Sequence, residues 1–270
     1  MVSFPNAKIN LGLNIVNKRP DGYHDIETVF YPIKFNDAIE VIEKKNIHFS
    51  ISGLAIEGDQ EDNLSIKAFQ LLKKDYPQLP PVHLHLHKTI PMGAGLGGGS
   101  ADGAFTLKLL NKKFGLGLSE KQLIDYSLQL GSDCPFFILN KPCFATGRGE
   151  ILDLIDLDLS NYKIVIVHPG IHNSTAWAFS KIKPALPVNP INKVIQQPIS
   201  AWKKELKNDF EEPVFAQHPE IRNIKDELYK TGAIYSAMSG SGSAVFGIFE
   251  KAKTLALSFP GNYFIKALPC

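Results

Sequence analysis

At 270 residues the chain is long enough for one large domain or two modest ones, and its 44% hydrophobic against 21% charged residues excludes disorder as a main theme. The 29 Lys and Arg against 27 Asp and Glu leave a formal charge of +2, too little for the basic excess of a nucleic-acid-binding protein, although a local patch can still hold a small phosphorylated ligand. Cys134, Cys143 and Cys270 are odd in number and far apart, which excludes a disulfide framework or a zinc knuckle and points to a reducing compartment. The start, MVSFPNAK, has no basic stretch followed by an apolar run, and no window has the roughly 18 apolar residues of a membrane span, so a cytoplasmic protein is expected.

The first element, AKINLGLNIV (Ala7–Val16), alternates polar and apolar residues as a half-buried strand does, with Lys8 and Asn10 on one face. Arg19-Pro20-Asp21-Gly22 then makes a turn that holds Tyr23 and His24 at a corner. Strands follow at Thr28–Phe35, Ala38–Glu43 and Ile47–Ile51, and a helix from Leu64 to Lys74 that Asn63 caps. Val82–Lys88 is a strand with His83, His85 and His87 on one face, and after it the loop PMGAGLGGGSADGA (Pro91–Ala104) runs into a helix ending near Gly115. Ser119 and Gln122 form a capping-box pattern for a helix that Gly131 stops, and Asp133 sits where the next helix would have its N-cap.

Beyond Glu150 the pattern changes, which places a domain boundary there: residues 1–152 and 153–270. The second part predicts a strand at Tyr162–Val167, a helix capped near Ser174 and an irregular stretch from Pro184 to Pro198. Helix Glu220–Lys230, strand Ala233–Met238, loop Ser239–Ser243, strand Ala244–Phe249, helix Lys251–Ser258 and strand Tyr263–Leu268 complete a split βαβ arrangement of the ferredoxin-like kind. No internal repeat is present.

The glycine loop carries the strongest chemical signal. Placed between a strand and a helix, it lets backbone N–H groups converge on an anion at the helix N-terminus, and phosphate is the natural guest; the competing explanation is a flexible connector. No Gly-Lys-Ser/Thr follows, so it is not a Walker A loop. Gly93-Ala94-Gly95-Leu96-Gly97-Gly98 does satisfy G-x-G-x-x-G, the fingerprint of a nicotinamide-dependent oxidoreductase. The expected second strand ending in an acid is missing, however, since a helix starts near Glu120. Asp133 is a simple N-cap in isolation and Lys8 a solvated lysine. Beside a phosphate loop, a carboxylate and an ammonium acquire the roles that phosphoryl transfer needs. Three histidines along a straight strand diverge, which favours a polar sheet face over a zinc site. Cys134 has no marked histidine partner and is a small core residue. The loop Ser239–Ser243 suits equally a plain connection and a wall over a ligand.

Together AKINLGLNIV, RPDGYHDIET, PMGAGLGGGSADGA, GSDCPFF and AMSGSGSAVFG resemble the GHMP small-molecule kinases, in the family's order and over nearly the whole chain. The resemblance implies an α+β fold of two lobes, a β-rich N-terminal ATP lobe and a ferredoxin-like C-terminal lobe on the substrate side. The RPDGYH block implies the branch that phosphorylates the 2-hydroxyl of a cytidine diphosphate-linked methylerythritol with ATP and Mg²⁺; the alternative within the family is a mevalonate- or homoserine-type kinase. Carried over by motif, Lys8 and Asp133 are the catalytic pair. Pro91, Met92, Gly93, Ala94, Gly95, Leu96, Gly97, Gly98, Gly99, Ser100 and Ala101 hold the triphosphate, Ser100 near the metal, and Asn63 lies near the adenine. Asn10, Tyr23, His24, Thr175 and Phe179 bind the second substrate, Tyr23 and His24 in the cytosine pocket with Phe179 opposite. No protein metal ligands are assigned and no oligomeric state is implied. The chain departs from the family at Asn6, where proline is usual, at Gly12, where a bulkier apolar residue is common, and after Thr175, where AWAF lacks a proline.

Overall fold

The computed structural model describes residues 1–56 and 58–270. The first half of the chain forms β1 (Val2–Ser3), β2 (Asn6–Lys18), β3 (His24–Asn36), β4 (Ala38–Glu43), β5 (His48–Gly53), a 3-10 turn (Gln60–Asp62), α1 (Leu64–Asp75), β6 (Val82–Lys88), α2 (Gly98–Phe114), α3 (Glu120–Leu130) and α4 (Cys134–Leu139). The second half forms β7 (Cys143–Thr146), β8 (Ile151–Leu154), β9 (Tyr162–His168), α5 (Thr175–Ser180), α6 (Ile191–Val194), α7 (Ile199–Glu205), α8 (Glu211–Gln217), α9 (Pro219–Lys230), β10 (Tyr235–Met238), β11 (Val245–Glu250) and β12 (Phe264–Pro269). Two compact units interleave along this order. One comprises Met1–Ala7, Phe35–Met92 and Gly97–Lys141, the other Lys8–Lys34, Gly93–Leu96 and Pro142–Cys270. The sequence boundary near residue 152 therefore falls inside the second unit, within β8.

In the first unit a four-stranded sheet runs in the order β1-β4-β6-β5, with β5 parallel to β6 and the other pairs antiparallel. Three of its helix ends form as the sequence predicts. Asn63 Oδ1 accepts from Ser65 N at 2.9 Å, Ser119 and Gln122 complete a capping box, and Gly115 ends α2 at φ +60°. The glycine-rich segment, expected to stay a loop through Ala104, becomes helical already at Gly98. Close packing is the reason: a Cβ on Gly103 would come within 2.9 Å of Leu64 Cβ, and one on Gly98 within 2.9 Å of Lys88 Nζ. These glycines let α2 approach its neighbours.

The face carrying His83, His85 and His87 is polar and hydrogen-bonded. Ser50 Oγ bridges His83 Nε2 (2.8 Å) and His85 Nδ1 (2.7 Å), while Ser52 Oγ bridges His85 Nε2 (3.0 Å) and His87 Nδ1 (2.9 Å). The parallel β5–β6 register places Ser50 opposite His85 and Ser52 opposite His87, which makes the ladder. On the other face Val82, Leu84, Leu86 and Lys88 are buried.

In the second unit one sheet has the order β2-β3-β7-β8 and the other β10-β11-β9-β12, the latter wholly antiparallel. That second-third-first-fourth order is the ferredoxin-like one expected. Its apolar cluster joins Leu13, Ile15 and Ile26 of β2 and β3 to Val165, Val167, Ile221, Leu228, Val245 and Phe249.

Two expectations fail here. Lys251–Ser258 is not a helix: Leu255, Leu257 and Phe259 are the partly buried positions, a period of two, and all three pack on the apolar cluster. The stretch Pro184–Pro198 is not wholly irregular, because Pro190 stands at the N-cap of the short helix α6, a position where a missing N–H costs nothing. Gly12 also finds its explanation, since its φ is +72° and a Cβ would lie 2.6 Å from Leu206 Cδ1.

Candidate active site

In the second unit the face of β2 predicted to carry Lys8 and Asn10 is closed over. Lys8 is 3% exposed, its ammonium donates to Asn10 Oδ1 at 2.6 Å and lies 4.9 Å from the Phe30 ring centroid. A buried ammonium needs such partners to offset its lost hydration. Asn10 Nδ2 donates to Thr28 Oγ1 (3.0 Å), and Thr28 Oγ1 donates to Gly12 O (2.5 Å), so the amide orientation is fixed from behind. The segment Gly93–Leu96 lies along this strand: Lys8 N donates to Leu96 O at 2.9 Å. Ser239 Oγ donates to Gly95 O at 2.8 Å and accepts from Asn10 N at 3.3 Å. A Cβ on Gly95 would overlap the Ser239 carbonyl, and one on Gly242 would overlap the Ala94–Gly95 peptide. The serine-glycine loop is thus a wall against the glycine segment and more than a plain connection.

Sequence reasoning missed Asn208, which holds that wall. Its Nδ2 donates to Met238 O (2.8 Å) and Gly240 O (2.9 Å), and its Oδ1 accepts from Phe210 N (3.0 Å). No motif surrounds it; the signal is tertiary, a parallel bridge from Leu13 to Asn208.

The turn at Arg19–Gly22 forms as expected, with Asp21 Oδ1 accepting from Tyr23 N at 3.1 Å and Arg19 paired to Asp21 and Asp25. The N–H of Tyr23 holds the Asp21 carboxyl below its usual range, with Arg19 reinforcing it. Tyr23 is exposed, and Arg148, another residue the sequence did not single out, lies 4.9 Å from its ring centroid. His24 stacks directly on Phe179, centroids 4.7 Å apart at 17°, and burial keeps its pKa below the usual imidazole value. Thr175 shares a hydrogen bond of 2.9 Å with Ser241 Oγ, while Asn173 Nδ2 donates to Ser241 O at 2.6 Å. The structure thus brings together His24 with Phe179, and Thr175 with the serine-glycine loop.

In the first unit a cavity of 340 Å³ is lined by Ile51, Ile56, Asp62, Asn63, Leu64, Met92, Gly99 and Asp102 among others. Its described lining sets Ile51, Ile56, Leu64 and Met92 beside Asp59, Asp62 and Asp102 with no Lys or Arg among them, which suits a flat neutral ring carrying N–H donors. The Asn63 cap spends Oδ1 on Ser65 N, which leaves Nδ2 for a ligand acceptor. Asp102 shares Lys88 with Asp37: Nζ donates to Asp37 Oδ2 at 2.5 Å and to Asp102 Oδ2 at 2.7 Å, with all three side chains at most 3% exposed. Asp102 Oδ1 has no hydrogen-bond partner among the described residues. Burial, partly offset by Lys88, pushes the Asp102 carboxyl up to about 7. A folded pKa raised above the unfolded one contributes stability at low pH that is lost as pH rises through about 7. The unfolding midpoint of Asp102→Asn should therefore lack a decline that the parent chain shows between about pH 4 and 7; parallel curves would remove this titration.

Asp133 precedes α4 with helical φ and ψ (−82°, −15°) and gives no cap hydrogen bond, so the bland N-cap role expected of it is not the one it plays. Pro135 sits in the first turn of that helix, where its missing N–H costs no helical bond. Next to it, burial pushes the Cys134 thiol up to about 12, with a Ser100 hydrogen bond opposing and the Asp133 charge adding, which suits a core residue and not a nucleophile. Among the described residues no group of three or more His, Cys, Asp or Glu could hold a metal ion, and no helix is long and apolar enough to cross a membrane.

The sequence matches the family models described as GHMP kinases N terminal domain, over residues 63–141, and GHMP kinases C terminal, over residues 193–263. It is 55% identical to a 4-diphosphocytidyl-2-C-methyl-D-erythritol kinase of Bacteroides fragilis, across 93% of this chain and 92% of that protein. A protein of the same name from Parabacteroides distasonis is 52% identical, across 93% and 92%. The structure superposes on a crystal structure of 4-(cytidine 5'-diphospho)-2C-methyl-D-erythritol kinase with TM-score 0.80 and 31% identity, covering 92% of this chain and 90% of that one. The chain belongs to the GHMP kinase family and, within it, to the group of 4-diphosphocytidyl-2-C-methyl-D-erythritol kinases. It is an enzyme of the kinase class.

Proposed function

We propose that the chain transfers the γ-phosphate of ATP to the 2-hydroxyl of 4-diphosphocytidyl-2-C-methyl-D-erythritol, giving the 2-phosphate and ADP, as a cytoplasmic step of non-mevalonate isoprenoid precursor synthesis. The kinship with kinases of that name over more than nine-tenths of this chain carries this assignment. Asp133 accepts the hydroxyl proton as the oxygen attacks phosphorus. Lys8, oriented by Asn10, offsets the charge that develops.

The loop Pro91–Ala101 receives the triphosphate on its backbone N–H groups, and Gly93, Gly95 and Gly97, at φ +67°, +80° and +71°, give it the concave path that any Cβ would strain. Asn63 and the cavity beside it take the adenine. A magnesium ion arriving with the triphosphate supplies cationic charge to the phosphate oxygens, and Ser100 is the hydroxyl this chain would offer it; the donor set fits an ion held largely by phosphate. Asn10, Tyr23, His24, Thr175 and Phe179 bind the cytidine substrate, through the exposed ring of Tyr23 and the imidazole of His24.

ADP release coupled to a reporter, with ATP, Mg²⁺ and the cytidine substrate beside mevalonate, homoserine and no acceptor, tests this. Turnover with the cytidine substrate alone is expected; comparable turnover with another acceptor would overturn the assignment. Replacing Tyr23 or His24 by alanine should raise KM for the cytidine substrate with KM for ATP unchanged, and equal losses in both would count against the pocket.

A further inference from the structure

Both ends of the glycine loop are fastened, in the first unit, to one buried ion cluster. At the entry, Asp37 Oδ1 accepts from Thr89 N at 2.6 Å and Ile90 N at 2.8 Å, the two residues before Pro91. Asp37 Oδ2 accepts from Lys88 Nζ at 2.5 Å, and the same ammonium reaches Asp102 Oδ2 at 2.7 Å on the first turns of α2, where the loop ends. Gly98 lies where Lys88 must pass: a side chain there would come within 2.9 Å of Nζ and 3.0 Å of Ile90 Cγ2. Two carboxylates and one ammonium, all out of water, are an expensive way to stabilise a fold, since apolar residues of like volume do so as well or better. Here the cluster also ties Asp37, which holds the two peptide N–H groups before the loop, through Lys88 to Asp102 on the helix that follows it.

We infer that Lys88, Asp37 and Asp102 are positioning residues that bracket the glycine loop and set it for a triphosphate before any ligand arrives. The inference rests on the reading of that loop as the triphosphate site. An apolar substitution in the cluster frees the Thr89 and Ile90 peptides or the start of α2, so the loop must then be ordered on binding, at the expense of affinity. Adenosine, which has no phosphate, should be indifferent to this.

Calorimetric titration of the full chain with a β,γ-imido analogue of ATP and, separately, with adenosine decides the matter. Lys88→Met and Asp37→Ala should each weaken the analogue by about tenfold or more while adenosine stays within about threefold, and Asp37→Asn, which keeps an oxygen for the Thr89 and Ile90 N–H groups, should restore the analogue to within about threefold of the parent chain. If Lys88→Met does not fold, the Asp37 pair gives the answer alone. Variants that melt earlier yet bind the analogue as the parent does would reduce the cluster to a structural role and overturn the inference. So would equal weakening of both ligands. A parent chain that binds adenosine but gains nothing from the triphosphate would withdraw the reading of the loop itself, and the inference with it.

Discussion

Replacing Asp133 by asparagine should lower kcat by about 10²–10⁴-fold, the usual worth of a positioned base, while KM for ATP changes little. Asparagine keeps the shape and loses the ability to accept a proton. The same substitution should leave α4 intact, because Asp133 gives that helix no cap hydrogen bond and Pro135 in its first turn favours the helical φ. Single-turnover measurement with saturating ATP and cytidine substrate separates the chemical step from binding. Turnover like that of the parent chain would take the base assignment away from Asp133, leaving a substrate phosphate oxygen as the proton's destination.

Gly95→Ala should be the most damaging single methyl in the second unit. Two effects add there. A left-handed φ of +80° costs a non-glycine residue about 1–2 kcal/mol, and the new Cβ would also run into the carbonyl of Ser239, whose hydroxyl in turn bonds Gly95 O at 2.8 Å. Gly170 offers a comparison within the same unit, with φ +78° and nothing within 4 Å of a Cβ. Gly170→Ala should therefore cost about 1–2 kcal/mol by denaturant titration, and Gly95→Ala clearly more, with loss of turnover. Equal costs would mean that the Ser239 wall yields to the methyl and that the glycine serves its φ alone.

Much of the fold could be read where the signal is local. The Asn63 cap, the Ser119 and Gln122 box, the Gly115 stop and the Ser174 cap depend on neighbours within a few residues, and each forms as predicted. What depended on packing did not show itself. Gly98–Ala104 has the composition of a loop, but its glycines are demanded by Lys88 and Leu64 across the unit, and the helix starts there. Lys251–Ser258 has helix-forming residues, yet the alternation of Leu255, Leu257 and Phe259 against the apolar cluster governs it.

The candidate site divides in the same way. Lys8, Asn10 and the glycine loop announce themselves by motif. Asn208 and Thr28, which fix the Ser239 wall and the Asn10 amide, have no motif, since the bonds they make join residues up to 32 positions apart. Lys88 lies between these cases. The alternation of β6 already puts it on the face of Leu84 and Leu86, so a lysine in the core, and hence a hidden carboxylate partner, could have been deduced.

The interleaving of the two units has a consequence for how the chain is made. The first unit has all its residues once Lys141 has left the ribosome, whereas Leu13, Ile15 and Ile26 must wait for partners such as Val165, Leu228, Val245 and Phe249. At the usual pace of translation the interval is on the order of ten seconds, long against the time that strands need to find one another. For that time β2 and β3 emerge from a folded unit as apolar strands without their core, the state most open to pairing with another nascent copy. Chaperone dependence during synthesis should concentrate on those two strands, and cutting the chain after residue 152 would leave them in that condition permanently.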